Sequence, residues 1–361
     1  MPIFGFLKKK KFKSTFSEQN HWERRNDYNQ PIRYLHNDHE YKKLNKSNQP
    51  AKKDVHDNVY RKGTLSELKR YFDSHTDESI MVKTIKIDNK KYIDEMELIT
   101  HAKNEAEKML EVGMAYDYIQ RRRKKTGIAV DIVMPFYGED DLFEKTIKFQ
   151  NAKKHTGKEI LQLLNYALGA MKSVQDFHDN GWIHFDVKLE NFVIDDRNNK
   201  VHLIDPELAM RKEFIGKVRA CKIGGTPEYA APELFLKDHL VNGEAVDIHS
   251  MGIVLAGMLD LLRNNGKRPD NNAEVKVKFY FDPSKKEDRL KILKKTFKVT
   301  DDQAEMLFNL VCSMTTLDPN SRPSLKTAMY SIENLIFELE HQFFPKKHHH
   351  TKNKVFKINN L

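Results

Sequence analysis

The chain has 361 residues, enough for one large two-lobed domain or two ordinary ones with a sizeable core. A hydrophobic content of 39% beside 32% charged residues reads as a globular middle with polar flanks, and the plentiful aromatics exclude disorder throughout. The formal charge of +10 lies at the ends, because residues 1–13 and 341–361 each hold five lysines and no acid, so the middle is neutral and no nucleic-acid partner is expected.

Two cysteines, Cys221 and Cys312, are too few for a disulfide framework, so a reducing, cytoplasmic compartment is expected. No apolar run approaches 18 residues, and neither a secretory signal nor N-myristoylation is expected from the opening Met-Pro-Ile-Phe segment. Residues 1–57 read as a basic, partly disordered extension without sustained periodicity. Ser79–Ile87 then reads as a strand, Tyr92–Val112 as a helix ended by Gly113, and Ile128–Met134 as a second strand stopped by Pro135. The apolar stripe Ile160, Leu163, Leu164, Ala167, Leu168, Met171, Val174 and Phe177 predicts a helix over 157–180, capped by Thr156 and followed by Gly181. Short strands follow at Phe192–Ile194 and Val201–Ile204, with helices around 244–263, 301–314 and 324–342.

The chemistry is concentrated in His184-Phe-Asp-Val-Lys-Leu-Glu-Asn191 and in Asp205, fourteen residues later. Phosphoryl transfer needs an acceptor for the attacking hydroxyl's proton, metal ions on the phosphates, and ligands for those metals. Asp186 can accept the proton, Asn191 and Asp205 can offer oxygen to a hard cation, and Lys188 can neutralise the γ-phosphate.

This stretch resembles the catalytic loop of the protein-kinase family, His-Arg-Asp-x-Lys-x-x-Asn, and Asp205-Pro-Glu207 stands where that family has Asp-Phe-Gly. Further resemblances follow in family order. Gly224-Gly-Thr-Pro-Glu-Tyr-Ala-Ala-Pro-Glu233 is similar to the end of the activation segment, and Asp247-Ile-His-Ser-Met-Gly252 to Asp-x-Trp-Ser-x-Gly, with His249 in place of Trp. Leu317-Asp-Pro-Asn-Ser-Arg-Pro323 supplies Arg322 as the partner of Glu233. The resemblance implies a bilobal α+β fold, with a small β-rich N-lobe over 58–135, a helical C-lobe over 136–342, and a basic tail over 343–361. It implies ATP with Mg²⁺ or Mn²⁺ as cofactors and a protein substrate, and Lys188 favours Ser or Thr over Tyr as the acceptor. It further implies that Asp247 holds the catalytic loop and that Thr226 contacts Asp186 and Lys188.

In the small lobe, Met81-Val-Lys-Thr-Ile85 resembles the strand whose lysine, here Lys83, binds the α- and β-phosphates. Its helix partner is expected to be Glu105, with Glu97 and Glu107 as rivals. Val133–Leu142 resembles the hinge, with Met134 as gatekeeper, Phe136 and Tyr137 bonding adenine through their backbone, and Asp141 either holding the ribose or serving a helix N-terminus. Asp186, Asn191 and Asp205 are expected to converge on one metal-bound triphosphate together with Lys83.

Three departures stand out. The Gly-x-Gly-x-x-Gly loop is reduced to Gly63 within Tyr60–Leu68, which loosens the expected grip on phosphate. Phe185 replaces the arginine that receives an activation-segment phosphate, so activity independent of such phosphorylation is expected. Pro206 stiffens the segment after Asp205, and Glu207 either joins the metal, favouring Mn²⁺, or faces solvent. Such divergence is similar to that of kinases that intracellular bacteria secrete into host cells or that large viruses carry. Arg121, Arg122, Arg123, Lys124 and Lys125 read either as a solvated loop or as a site for an inositol phosphate or lipid headgroup, and the two basic arms suit an anionic membrane surface. A scaffold that binds nucleotide without turnover, or another transfer chemistry on the same fold, remains as an alternative.

Overall fold

The computed structural model describes residues 23–25, 33–36, 39–43, 61–62, 66–73, 78–87, 95–122, 127–195, 197–214, 224–236, 241–262 and 286–345. Two compact units divide the chain between Phe136 and Tyr137.

The first unit is an antiparallel sheet with one long helix. Its strands are β1 (Glu23–Arg25), β2 (Arg33–His36), β3 (His39–Lys43), β4 (Arg61–Lys62), β5 (Ser66–Asp73), β6 (Glu78–Ile87), β7 (Asp117–Arg122) and β8 (Ile128–Pro135), with helix α1 (Glu95–Glu111) between β6 and β7. The order across the sheet is β1-β2-β3-β5-β6-β8-β7, and β4 also pairs with β5.

Side-chain alternation assigns the two faces. On one face Ile85, Ile87, Val130 and Ile132 pack against Ile99, Ala102, Ala106 and Met109 of α1. On the other, Ile80, Val82 and Val133 meet Tyr34 and Tyr71, whose rings cross edge to face at 4.8 Å. Thr84 and Asp131 are paired across β6 and β8 on this second face. The Asp131 carboxylate is fully buried. It accepts from Thr84 Oγ1 at 2.7 Å, from Tyr34 at 3.0 Å, and from Arg121 Nε and Nη2 at 2.6 and 3.1 Å, and Arg24 Nε lies 3.3 Å away. Burial and the Asp131 charge push the Tyr34 hydroxyl well above its ordinary pKa, so it stays a donor.

Two expectations are corrected here. The sheet does not begin at 58, since β1, β2 and β3 lie inside the segment read as an extension. Arg121 belongs to a strand, not a loop, and its guanidinium is committed to Asp131, so it is not a polyanion ligand. Arg122 is exposed at the strand end, and Arg123, Lys124 and Lys125 lie outside the described residues, as does Gly63.

In the second unit α3 (Gly157–Asp179) is the central element. Thr156 accepts from the Glu159 N–H while the Glu159 carboxylate accepts from the Thr156 N–H, which satisfies two otherwise orphaned donors at the helix start. Around α3 stand α2 (Leu142–Asn151), the strands β9 (Trp182–Ile183), β10 (Phe192–Asp195), β11 (Lys200–Leu203) and β12 (Met210–Arg211), and the helices α4 (Gly243–Met258), α5 (Lys286–Phe297), α6 (Asp301–Met314) and α7 (Leu325–Phe343). Every residue of α4 except Glu244 is buried, as its apolar circumference requires. Gly252 lets it approach the end of α6, where an added Cβ would stand 2.7 Å from Thr315 and 2.8 Å from Met314. A small N-terminal sheet unit and a helical C-terminal unit are the α+β composition expected.

Removing the Asp131 carboxylate leaves two half-buried guanidinium groups without their counter-charge. Asp131→Ala should therefore lower unfolding free energy by about 3–5 kcal/mol. Deleting residues 1–57 should also destabilise, because Arg24 and Tyr34 go with it. Urea unfolding midpoints test both, and unchanged midpoints would detach β1–β3 from the sheet.

Candidate active site

Lys83 lies on β6 with odd-numbered Ile85 and Ile87, the face that α1 covers. Its Nζ is 2.6 Å from Glu105 Oε1, an ion pair that is largely shielded from water. Glu97 and Glu107 are exposed, and Glu107 accepts from the Tyr118 hydroxyl at 3.5 Å. Of the three candidate acids, the helix turns only Glu105 toward the lysine. Met134, half-buried, faces Met81 in register and packs on the α1 cluster. Phe136 lies beneath the Arg70 guanidinium at 3.9 Å, and Tyr137 stacks on His202 at 3.7 Å.

The catalytic loop of the second unit runs from β9 to a 3₁₀ turn at Leu189–Asn191. Phe185 sits there with φ +64°, a conformation that bulky side chains avoid. Asp247, fully buried near the start of α4, holds this kink in place. Its Oδ2 accepts from the His184 N–H at 2.8 Å and its Oδ1 from the Phe185 N–H at 2.9 Å, while His178 Nε2 donates to Oδ2 at 2.8 Å. The His184 ring is buried, which lowers its pKa despite the nearby Asp247 charge. As a neutral imidazole it donates from Nε2 to the Ile204 carbonyl at 3.1 Å and accepts the Asp186 N–H on Nδ1 at 3.3 Å.

Asp186 is thereby set in a closed network. Oδ1 accepts from the Thr226 amide at 2.9 Å and the Thr226 hydroxyl at 2.7 Å, and Oδ2 accepts from Lys188 Nζ at 2.6 Å. Lys188 also donates to Thr226 Oγ1 at 3.0 Å. Burial works against the Asp186 charge, but Lys188 and Thr226 outweigh it and hold its pKa below the ordinary carboxylate value.

The β10–β11 hairpin supplies the remaining groups. Phe192 pairs with Leu203, so Asn191 just before one strand and Asp205 just after the other come to the same end, and the Ile204 N–H donates to the Asn191 carbonyl at 2.8 Å. The Asn191 Nδ2 group donates to the Asp186 carbonyl at 2.9 Å and to Asp186 Oδ2 at 3.3 Å. That fixes the amide so that its oxygen is the atom left for a cation. Asp205 has φ +62°, an unusual state for a residue before proline. An amide oxygen and a half-buried carboxylate at one end of a hairpin are hard-oxygen donors of the kind that fits Mg²⁺ or Mn²⁺.

Glu233 and Arg322 form a buried two-pronged pair at 2.6 and 2.8 Å, as the resemblance implies. The protein kinase domain family matches residues 61–332. The chain belongs to the protein kinase family. Among its relatives, a probable serine/threonine-protein kinase of Zea mays is 30% identical over 160 residues, 44% of this chain and 23% of the relative. A CBL-interacting serine/threonine-protein kinase of Arabidopsis thaliana is 26% identical over 279 residues, 77% of this chain and 48% of the relative. A putative serine/threonine-protein kinase of Acanthamoeba polyphaga mimivirus is 27% identical over 176 residues, 46% of this chain and 54% of the relative. The chain thus spans about half or less of the length of these relatives.

Asp141 and Glu207 each carried two expected roles. Asp141 is buried and its Oδ1 caps α2 by accepting the Glu144 N–H at 2.8 Å, so it serves the helix. Glu207 is exposed. Sequence reasoning missed His178 as a third donor to Asp247, although its place near the end of α3, six residues before His184, was a usable signal. It also left Phe185 without a partner. The ring is buried with Ile183, Ala231, Leu234, Val241 and Val246, and Leu208, Met210 and Ala230 pack on the same cluster.

His249, where the family has Trp, is buried with both ring nitrogens short of a well-formed hydrogen bond. Burial first, then the Arg322 guanidinium, lowers its pKa from 6.5 to about 3. The folded state therefore refuses a proton that the unfolded chain accepts below about pH 6.5. Stability conferred by the neutral ring is complete above that pH and falls as pH drops toward 3, by about 1.4 kcal/mol per pH unit for this one group. His249→Phe should flatten the decline below pH 6.5 in denaturation measured against pH, and should not destabilise the protein at neutral pH.

Proposed function

We propose that the chain is an active kinase of the Ser/Thr type that transfers the γ-phosphate of ATP to a hydroxyl of a protein substrate. The observation that carries this reading is the closed Asp186–Lys188–Thr226 network, in which a carboxylate held ionised is braced by groups that do not otherwise need it. The printed names of the relatives point the same way. Asp186 accepts the proton of the attacking hydroxyl. Lys188, already bridging Asp186 and Thr226, is in reach of charge developing on the transferred group. Lys83, held by Glu105, is the group for the α- and β-phosphates. Asn191 and Asp205 would hold Mg²⁺ or Mn²⁺, which supplies charge neutralisation on the phosphates when bound.

ATP labelled at either the γ- or the α-phosphate separates the alternatives. The wild type should move the γ-label to a protein substrate, and Asp186→Ala and Asp205→Ala should each reduce this at least about a hundredfold. Transfer of the α-label would mean nucleotidyl transfer instead. Nucleotide binding without transfer would mean a scaffold.

Regulation follows from Phe185. Between Leu208 and Thr226 the only hydroxyl side chain is that of Thr226, which is bonded to Asp186. The position of the phosphate-receiving arginine is filled by a ring in an apolar cluster that includes both ends of the activation segment. Phosphatase-treated enzyme should accordingly keep its rate within about twofold, because no charge-assisted pair is lost. A tenfold fall would overturn this.

A further inference from the structure

One position of strand β5 breaks the pattern of its face. Glu67, Lys69, Tyr71 and Asp73 share one side of the strand, and Leu68, Arg70 and Phe72 share the other. The register says which side this is, because Leu68 stands opposite Lys83, Arg70 opposite Met81 and Phe72 opposite Ser79. Arg70 is therefore on the Lys83 side of the sheet. It is half-buried there, with Leu68 and Phe72 before and after it, where alternation calls for an apolar side chain.

Two contacts orient its guanidinium. The central carbon lies 3.9 Å from the centroid of the Phe136 ring, and Nε donates to Ser79 Oγ at 3.1 Å. Phe136 directly follows β8, whose Met134 and Pro135 pair with Met81 and Ile80, and it is the last residue of the first unit. Arg70 thus ties β5 and β6 to the residue that leaves β8. Along β6, Met81 is about 7 Å and Ser79 about 13 Å from Lys83. Over that span an extended nucleotide separates its phosphates from its base. With the α- and β-phosphates at Lys83, the Arg70–Phe136 stack falls at the base end.

We infer that Arg70 is a positioning residue for the nucleobase, which acts by stacking on the Phe136 ring and so fixing the backbone that binds a purine. A planar cation anchored to a strand by its own hydrogen bond restricts the ring above which it lies. The backbone carrying that ring is then set before the nucleotide arrives, which lowers the ordering cost of binding. The inference rests on the reading of the chain as an ATP-using kinase. It adds a residue that acts through Phe136 and not on the phosphates.

Calorimetry on the full chain with Mg²⁺ tests this with two ligands, ATP and inorganic tripolyphosphate. Arg70→Ala should weaken ATP about five- to tenfold, the size of one lost cation–π contact, and leave tripolyphosphate, which has no base, within about twofold. Arg70→Leu, which restores the apolar alternation of the face, should show the same loss and serves if Arg70→Ala is unstable. Phe136→Leu keeps the backbone, removes the ring and should weaken ATP by a similar factor. The double variant Arg70→Leu, Phe136→Leu should bind within about twofold of either single variant, because all of them remove the same contact. Unchanged ATP affinity in the variants, an equal loss for both ligands, or additive losses in the double variant overturns the inference and leaves the kinase reading standing. A wild type that does not bind ATP overturns both.

Discussion

The geometry of the catalytic loop depends on one carboxylate that solvent does not reach. Asp247 receives the backbone N–H groups of His184 and Phe185 together with the ring of His178, and these three bonds hold Phe185 in a left-handed conformation of a kind that costs on the order of 1–3 kcal/mol. The kink turns the next residue, Asp186, so that its carboxylate meets Lys188 and Thr226. A charge buried without such donors would be strongly destabilising, so the loop and the carboxylate stabilise one another.

The first unit uses the same device for a different end. Asp131 is as deeply buried as Asp247, but its partners come from four strands and are mostly side chains: Arg24, Tyr34, Thr84 and Arg121. It closes the sheet face opposite α1. The face that carries Lys83 is thereby free for α1, and the Lys83–Glu105 pair is formed inside one unit by the parity of a strand and the turn of a helix.

Phe185 links the shape of the loop to the packing of the segment ends. A single side chain satisfies the apolar cluster beneath the activation segment and occupies the place where an arginine would await a phosphate. Apolar packing does not depend on a modifying enzyme, and it holds the segment ends together with the Thr226–Asp186 bonds and the Glu233–Arg322 pair. His249 shows the opposite balance. Substituting an imidazole for the indole of the family leaves a buried polar ring, whose cost grows on acidification.

Much of the molecule is determined by local sequence. Periodic apolar stripes place α3, α6 and α7, a near-continuous apolar run places α4, and the Thr156 cap with Glu159 marks the start of α3. The spacing from Asp186 through Asn191 to Asp205 already encodes the hairpin that reunites them, because a tight antiparallel turn returns the chain to its starting edge. Tertiary structure alone decided matters of pairing between distant segments. The short polar strands β1–β3 carry no alternation of their own and become strands by adding to an existing sheet edge. Arg121 reads as one charge in a basic run until the fold sets it against Asp131, and Glu105 is separated from Glu97 and Glu107 only by which side of α1 meets the sheet. Charge and polarity in a sequence give the kinds of group present, whereas burial, which sets what each charge must find as a partner, exists only once the chain has packed.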